Sequence, residues 1–94
     1  MIFPFLQLRK YLLKQFQLIN VEILFWTKKI IKALVRAGFY IVSTKGSHVK
    51  LRGIRFGKLQ TVIVPKHKEV AFGTFQSILR QAAMEFEELR TYLR

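Results

Sequence analysis

The strongest constraint on the fold is a strand–turn–strand pattern between Phe39 and Arg52. Phe39 to Thr44 reads as one extended run, and His48 to Arg52 alternates apolar and polar residues as a second. Lys45, Gly46 and Ser47 lie between them as turn formers, so the two runs are expected to fold back on each other as a tight β-hairpin. Alternation sends Val49 and Leu51 to one face of the second strand, and His48, Lys50 and Arg52 to the other. The first face suits a core. The second sets an imidazole in line with two cations where a strand leaves a turn, a poor place for a buried histidine and a good one for meeting a phosphate.

The flanking stretches supply the rest of a small domain. Ile30, Ile31, Leu34 and Val35 form an apolar stripe at helical spacing, with Thr27 as the expected N-cap and Gly38 as the terminator. After a loop from Gly53 to Lys58, the β-branched run Gln60–Val64 ends at Pro65 and reads as a third strand. Gly73-Thr74 opens a second helix whose buried side carries Phe75, Ile78, Leu79 and Ala82. Phe86, Leu89 and Leu93 imply a short final helix with an acidic outer face. The expected class is therefore α+β, in the order α-β-β-β-α plus a terminal helix, with a three-stranded antiparallel sheet covered by helices on one face.

Charge separates this chain from an ordinary small domain. Its 94 residues carry a formal +12, from 17 Lys and Arg against 5 acids. Eleven basic residues and no acid fall between Lys28 and Lys68, while every acid except Glu22 lies at Glu69 or beyond. Apolar residues make up 51%, too many for a disordered basic tail. A one-signed block on a folding chain implies an anionic partner, nucleic acid first; solubility alone rarely needs so one-sided a distribution. Lys28, Lys32 and Arg36 recur every four residues as a line of cations with no acids interleaved.

Residues 1–25 stand apart. Their apolar stretch is interrupted by Pro4 and Gln7 and followed by Arg9, Lys10 and Lys14, which fits neither a membrane-spanning helix nor a signal peptide. Leu12, Phe16, Ile19 and Ile23 keep helical spacing, so an amphipathic arm is one reading. Upstream sequence attached by a misassigned start is the other. The folded unit is expected to span residues 26–94.

The chemistry on offer is narrow. The chain has no cysteine, which excludes disulfides, thiol nucleophiles and thiolate zinc sites and fits a reducing, cytoplasmic setting. It has no aspartate, so a Ser-His-Asp triad is excluded. Clustering of the carboxylates near the C-terminus argues against a two-metal nuclease, and two histidines among cations are a poor zinc site. No metal and no cofactor are expected. What remains is histidine among lysines and arginines: His48, and His67 between Lys66 and Lys68. Imidazole exchanges protons near neutrality, and cations offset charge building on a phosphoryl oxygen. RNA carries its own nucleophile, the 2′-hydroxyl, so such a site suits RNA cleavage better than DNA cleavage. A lone histidine after a turn is more often structural or merely exposed, and these residues permit the chemistry without requiring it.

At these residues the chain resembles the HicA family of toxin ribonucleases, the toxin half of HicA–HicB toxin–antitoxin pairs. The resemblance runs through Thr27-Lys28-Lys29-Ile30-Ile31-Lys32-Ala33-Leu34 and Ala37-Gly38-Phe39, and peaks at Lys45-Gly46-Ser47-His48. It resumes at Val62-Ile63-Val64-Pro65, His67, Gly73-Thr74 and Ile78-Leu79-Arg80-Gln81-Ala82, in order across residues 26–94. It implies a fold similar to a double-stranded RNA-binding domain, metal-independent cleavage of messenger RNA with His48 as the catalytic histidine, and a HicB-type antitoxin that covers the active surface. Gly46 matches the turn glycine that presents the histidine, and His67 matches a second, less constant one that is not expected to be catalytic. Two positions depart from the family: residues 1–25 lie upstream of where members usually begin, and Lys28 stands where many have glycine.

The set expected to contact RNA is Lys28, Lys32, Arg36, Lys45, Ser47, Lys50, Arg52, Lys66 and His67. Two other readings compete with the toxin ribonuclease. One is a non-catalytic RNA- or DNA-binding module using the same basic face, which would have no need for an imidazole after Gly46-Ser47. The other is an oligomeric or membrane-surface protein built on residues 1–25. No membrane partner is expected on the first two.

Overall fold

In the computed structural model, which describes residues 26–93, helix α1 occupies Thr27–Arg36. Ile30, Ala33 and Leu34 form its buried face, while Val35, one residue past that stripe, is exposed. The expected cap is corrected by one residue. Trp26 is the N-cap and makes no side-chain cap bond, and Thr27 is already helical. A tertiary contact replaces the cap: the Thr27 N–H donates to the Lys68 carbonyl at 3.0 Å, and Trp26 forms an isolated antiparallel bridge with Glu69. Gly38 ends the helix as expected. Its φ of +109° lets the Phe39 N–H reach back to the Leu34 carbonyl at 3.0 Å.

Strands β1 (Tyr40–Lys45), β2 (His48–Arg55) and β3 (Lys58–Pro65) form one antiparallel sheet in the order β1-β2-β3. The first turn is two residues long, Gly46-Ser47, with Lys45 paired to His48. Gly46 has φ +56°, the left-handed backbone that favours glycine at the first turn position. The expected Gly53–Lys58 loop is instead strand on both sides of a second two-residue turn, Phe56-Gly57. Both turn residues have positive φ, 52° and 76°. Long-range contact explains the extension of β2. Gly53 lies on the core face, where a Cβ would sit 2.8 Å from the Phe39 ring, so the missing side chain is filled by an aromatic from another element.

Alternation along β2 holds: Val49, Leu51 and Gly53 are buried, while His48 and Ile54 are exposed and Lys50 and Arg52 partly so. Val62 and Val64 of β3 pair with Leu51 and Val49 on the buried face. Helices α2 (Phe72–Gln81) and α3 (Phe86–Tyr92) complete that side. Helix α2 begins one residue before the expected Gly73, with Ala71 as its N-cap. Phe75 and Phe86 meet edge to face, ring centroids 6.2 Å apart, and join the two helices in the core. The fold is thus α+β, with an open three-stranded antiparallel sheet and helices, consistent with a double-stranded-RNA-binding-domain-like arrangement.

The two sheet edges differ. Along β3, the Gln81 Oε1 of α2 accepts the Ile63 N–H at 2.8 Å, so the helix satisfies part of that edge. Strand β1 has no such cover among the described residues: all six of its residues are exposed. A bulge interrupts its pairing with β2, since Ile41 faces Leu51 and Ser43 faces Lys50, leaving Val42 as the extra residue.

Candidate nucleic-acid interface and catalytic residue

His48 begins β2 directly after the Gly46-Ser47 turn, on the sheet face away from the core. Its ring Nδ1 lies 3.3 Å from Ser47 Oγ. Lys45 is its cross-strand partner, and Lys50 and Arg52 follow on the same face at a spacing of about 6.7 Å per pair of residues. Arg52 Nε donates to Thr61 Oγ1 at 3.4 Å, which steadies the far end of this row. The turn itself is held from the other side, because the Ser47 carbonyl accepts the Lys66 N–H at 2.5 Å. Exposure, a fixed turn and cations on two sides leave the imidazole able to approach a phosphodiester.

His67 occupies a different setting. It is exposed in the loop after β3 and lines a cleft of about 810 Å³ between the start of α1 and the β1–β2 hairpin. Trp26, Ile31, Ile41 and Val49 provide apolar wall; Lys28, Lys66 and Lys68 join His67 as charged or titratable lining. Thr27 also lines this cleft, 4% exposed, and its Oγ1 is buried without a hydrogen-bond partner. An unpaired buried hydroxyl costs about 1–3 kcal/mol. The expected RNA-contacting set is therefore divided. Lys45, Ser47, Lys50 and Arg52 gather with His48 at the turn and on the bare face, whereas Lys28, Lys66 and His67 line the cleft.

Two basic residues of the block serve the fold. Arg55 forms an ion pair with Glu88 of α3, contacts the Ala83 carbonyl at 3.5 Å, and lies 5.1 Å from the Phe56 ring centroid. Arg36, expected to hold RNA, donates from Nη1 to the Tyr92 carbonyl at 2.9 Å, tying α1 to the end of α3. Lys32 remains exposed on α1, between Lys28 and Arg36. The cleft was not legible in the sequence: Thr27 carried the signal of a helix cap, and Trp26 only that of a domain start.

Among the described residues, no three His, Asp or Glu side chains come together as a metal site would need, and no helix is long and apolar enough to cross a membrane. Comparison with protein families matches residues 27–84 to the family described as HicA toxin of bacterial toxin–antitoxin. The chain belongs to the HicA toxin family. The match spans α1 through the end of α2 and includes His48 and His67, while α3 lies beyond it. A search of curated proteins finds no match. Membership in the HicA family makes this chain a toxin-type domain of a toxin–antitoxin system, with an antitoxin and RNA as the implied partners.

Proposed function

We propose that this HicA family member is an endoribonuclease that cleaves messenger RNA without a metal, using His48 as its acid–base residue, and that a HicB-type antitoxin neutralises it. The observation that carries the reading is the placement of His48, exposed at the strand start with Lys45 across from it and Lys50 beyond it on the same face. In this mechanism Nδ1–H donates to Ser47 Oγ, which leaves Nε2 to take the proton of the RNA 2′-hydroxyl. The 2′-oxygen then attacks the adjacent phosphorus, forming a 2′,3′-cyclic phosphate and breaking the bond to the 5′-oxygen. That oxygen leaves as a hydroxyl on taking a proton from water, while the His48 imidazolium returns its own to solvent. Lys45, Lys50 and Arg52 offset the charge that builds on the phosphoryl oxygens. The bare sheet face is also where an antitoxin would have to sit to block this chemistry.

The test is cleavage of a defined messenger RNA by the purified chain, wild type and His48→Ala, with and without a chelator. Cleavage that persists in chelator and vanishes in the folded variant supports the mechanism. Activity restored only by a divalent ion would overturn it. Residues 26–94 are taken as the toxin unit on this reading. A chain beginning at Phe25 should unfold cooperatively and retain its rate, and loss of folded protein would show that residues 1–25 contribute to the core.

A further inference from the structure

We propose that the cleft beside α1 is a second binding site, taking one unpaired nucleotide of the RNA with its base against the apolar wall and its phosphate at the basic rim. The proposal rests on the RNA-cleaving reading and names the form of substrate that the fold accepts. Three observations carry it. The cleft is ligand-sized, about 810 Å³ against a usual range of about 300–1,000 Å³. Its walls are aromatic and aliphatic, from Trp26, Ile31 and Val49, as base stacking requires. Its rim carries the exposed cations Lys28, Lys66 and Lys68, which suit the phosphate of the same nucleotide.

The site is also built in place. The Thr27 N–H bond to the Lys68 carbonyl and the Trp26–Glu69 bridge hold the loop that bears Lys66, His67 and Lys68 against α1. The bond from the Lys66 N–H to the Ser47 carbonyl fastens the same loop to the turn that presents His48. A nucleotide in the cleft is thus one turn away from the catalytic histidine, on the other side of the sheet edge. Duplex RNA has no unstacked base to offer the apolar wall, so the preferred substrate is single-stranded near the cut. An acidic protein segment would satisfy the lysines but would leave the aromatic wall without a matching group.

Trp26 is the chain's one tryptophan, so its emission reports on this cleft. The full chain is titrated with a 2′-O-methyl hexaribonucleotide, which lacks the attacking hydroxyl, with adenosine and uridine 5′-monophosphate, with inorganic phosphate, and with polyglutamate. Saturable emission changes with the oligonucleotide and the monophosphates, and a far weaker response to phosphate alone, are expected. Lys68→Gln should weaken oligonucleotide binding several-fold. Lys28→Gln should weaken it as well while leaving the melting temperature unchanged. An unchanged emission, equal binding of both variants, binding of free nucleotide but not the oligonucleotide, or polyglutamate binding as tightly as RNA would each overturn the proposal. Cleavage is read separately: His48-dependent cleavage without a Trp26 response refutes the cleft alone, and a Trp26 response without cleavage refutes the ribonuclease alone.

Discussion

His48 and His67 each stand among lysines in the sequence, yet the fold gives them different surroundings. His48 begins a strand, so its backbone is held by pairing on both sides, to Lys45 and to Pro65. His67 belongs to a loop fastened at Lys66 and Lys68, beside apolar walls and an unpaired hydroxyl. The contrast teaches that a histidine between cations is not in itself a site. A general base needs an approachable ring held at one position on an open surface, and a binding cleft needs shape and mixed polarity.

Four measurements would break or sharpen that contrast. The largest effect is expected from His48→Ala, which should lower the cleavage rate by about 10²- to 10⁴-fold, the usual contribution of a general acid–base group. Because His48 is exposed, circular dichroism and melting should be nearly unchanged. A folded His48→Ala chain cleaving at wild-type rate would erase the distinction between the two histidines.

Next in size is the double change Lys50→Gln and Arg52→Gln. Each phosphate contact contributes about 0.7 to the slope of log affinity against log salt on a single strand, so the slope should flatten by about 1.4. An unaltered slope would remove the bare sheet face from the RNA path. Glu88→Ala tests the opposite class of basic residue. It strips Arg55 of its carboxylate partner, and a charge-assisted hydrogen bond contributes about 1.5–3 kcal/mol, so denaturant midpoints should fall while the rate per folded molecule holds. A variant that loses RNA affinity without losing stability would move Arg55 into the interface. The smallest effect is expected from His67→Ala: a rise in KM of about 2- to 10-fold, the scale of one polar contact, with kcat unchanged. A fall in kcat matching that of His48→Ala would make the two histidines a catalytic pair.

Much of this arrangement was legible in the sequence because it depends on local rules. Gly38 ends α1 and Gly46 opens the hairpin turn for reasons of backbone freedom, and the alternation of β2 assigns each of its residues a face. What escaped depends on residues distant in the chain. Gly53 reads as a loop former until the Phe39 ring is set over it. Thr27 reads as a cap until the Lys68 carbonyl takes its N–H. Charge patterning marked Arg55 and Arg36 only as members of a basic block, since their partners, Glu88 and the Tyr92 carbonyl, lie on a helix dozens of residues away. The catalytic candidate was visible from its position after the turn, whereas the cleft is lined by the start of α1, the hairpin and the loop after β3, which only the fold brings together.

The bulge at Val42 bears on the behaviour of a free toxin in a crowded solution. Tyr40, Ile41 and Val42 are exposed on a strand whose outer edge is uncovered among the described residues, and such edges template fibrous self-association. The extra residue breaks the regular run of donors and acceptors, so a second copy finds no uninterrupted ladder to extend. Net charge of +12 adds mutual repulsion between copies. Salt screens that repulsion just as it screens attraction to RNA, so colloidal stability and substrate capture are tied to a single property of the surface.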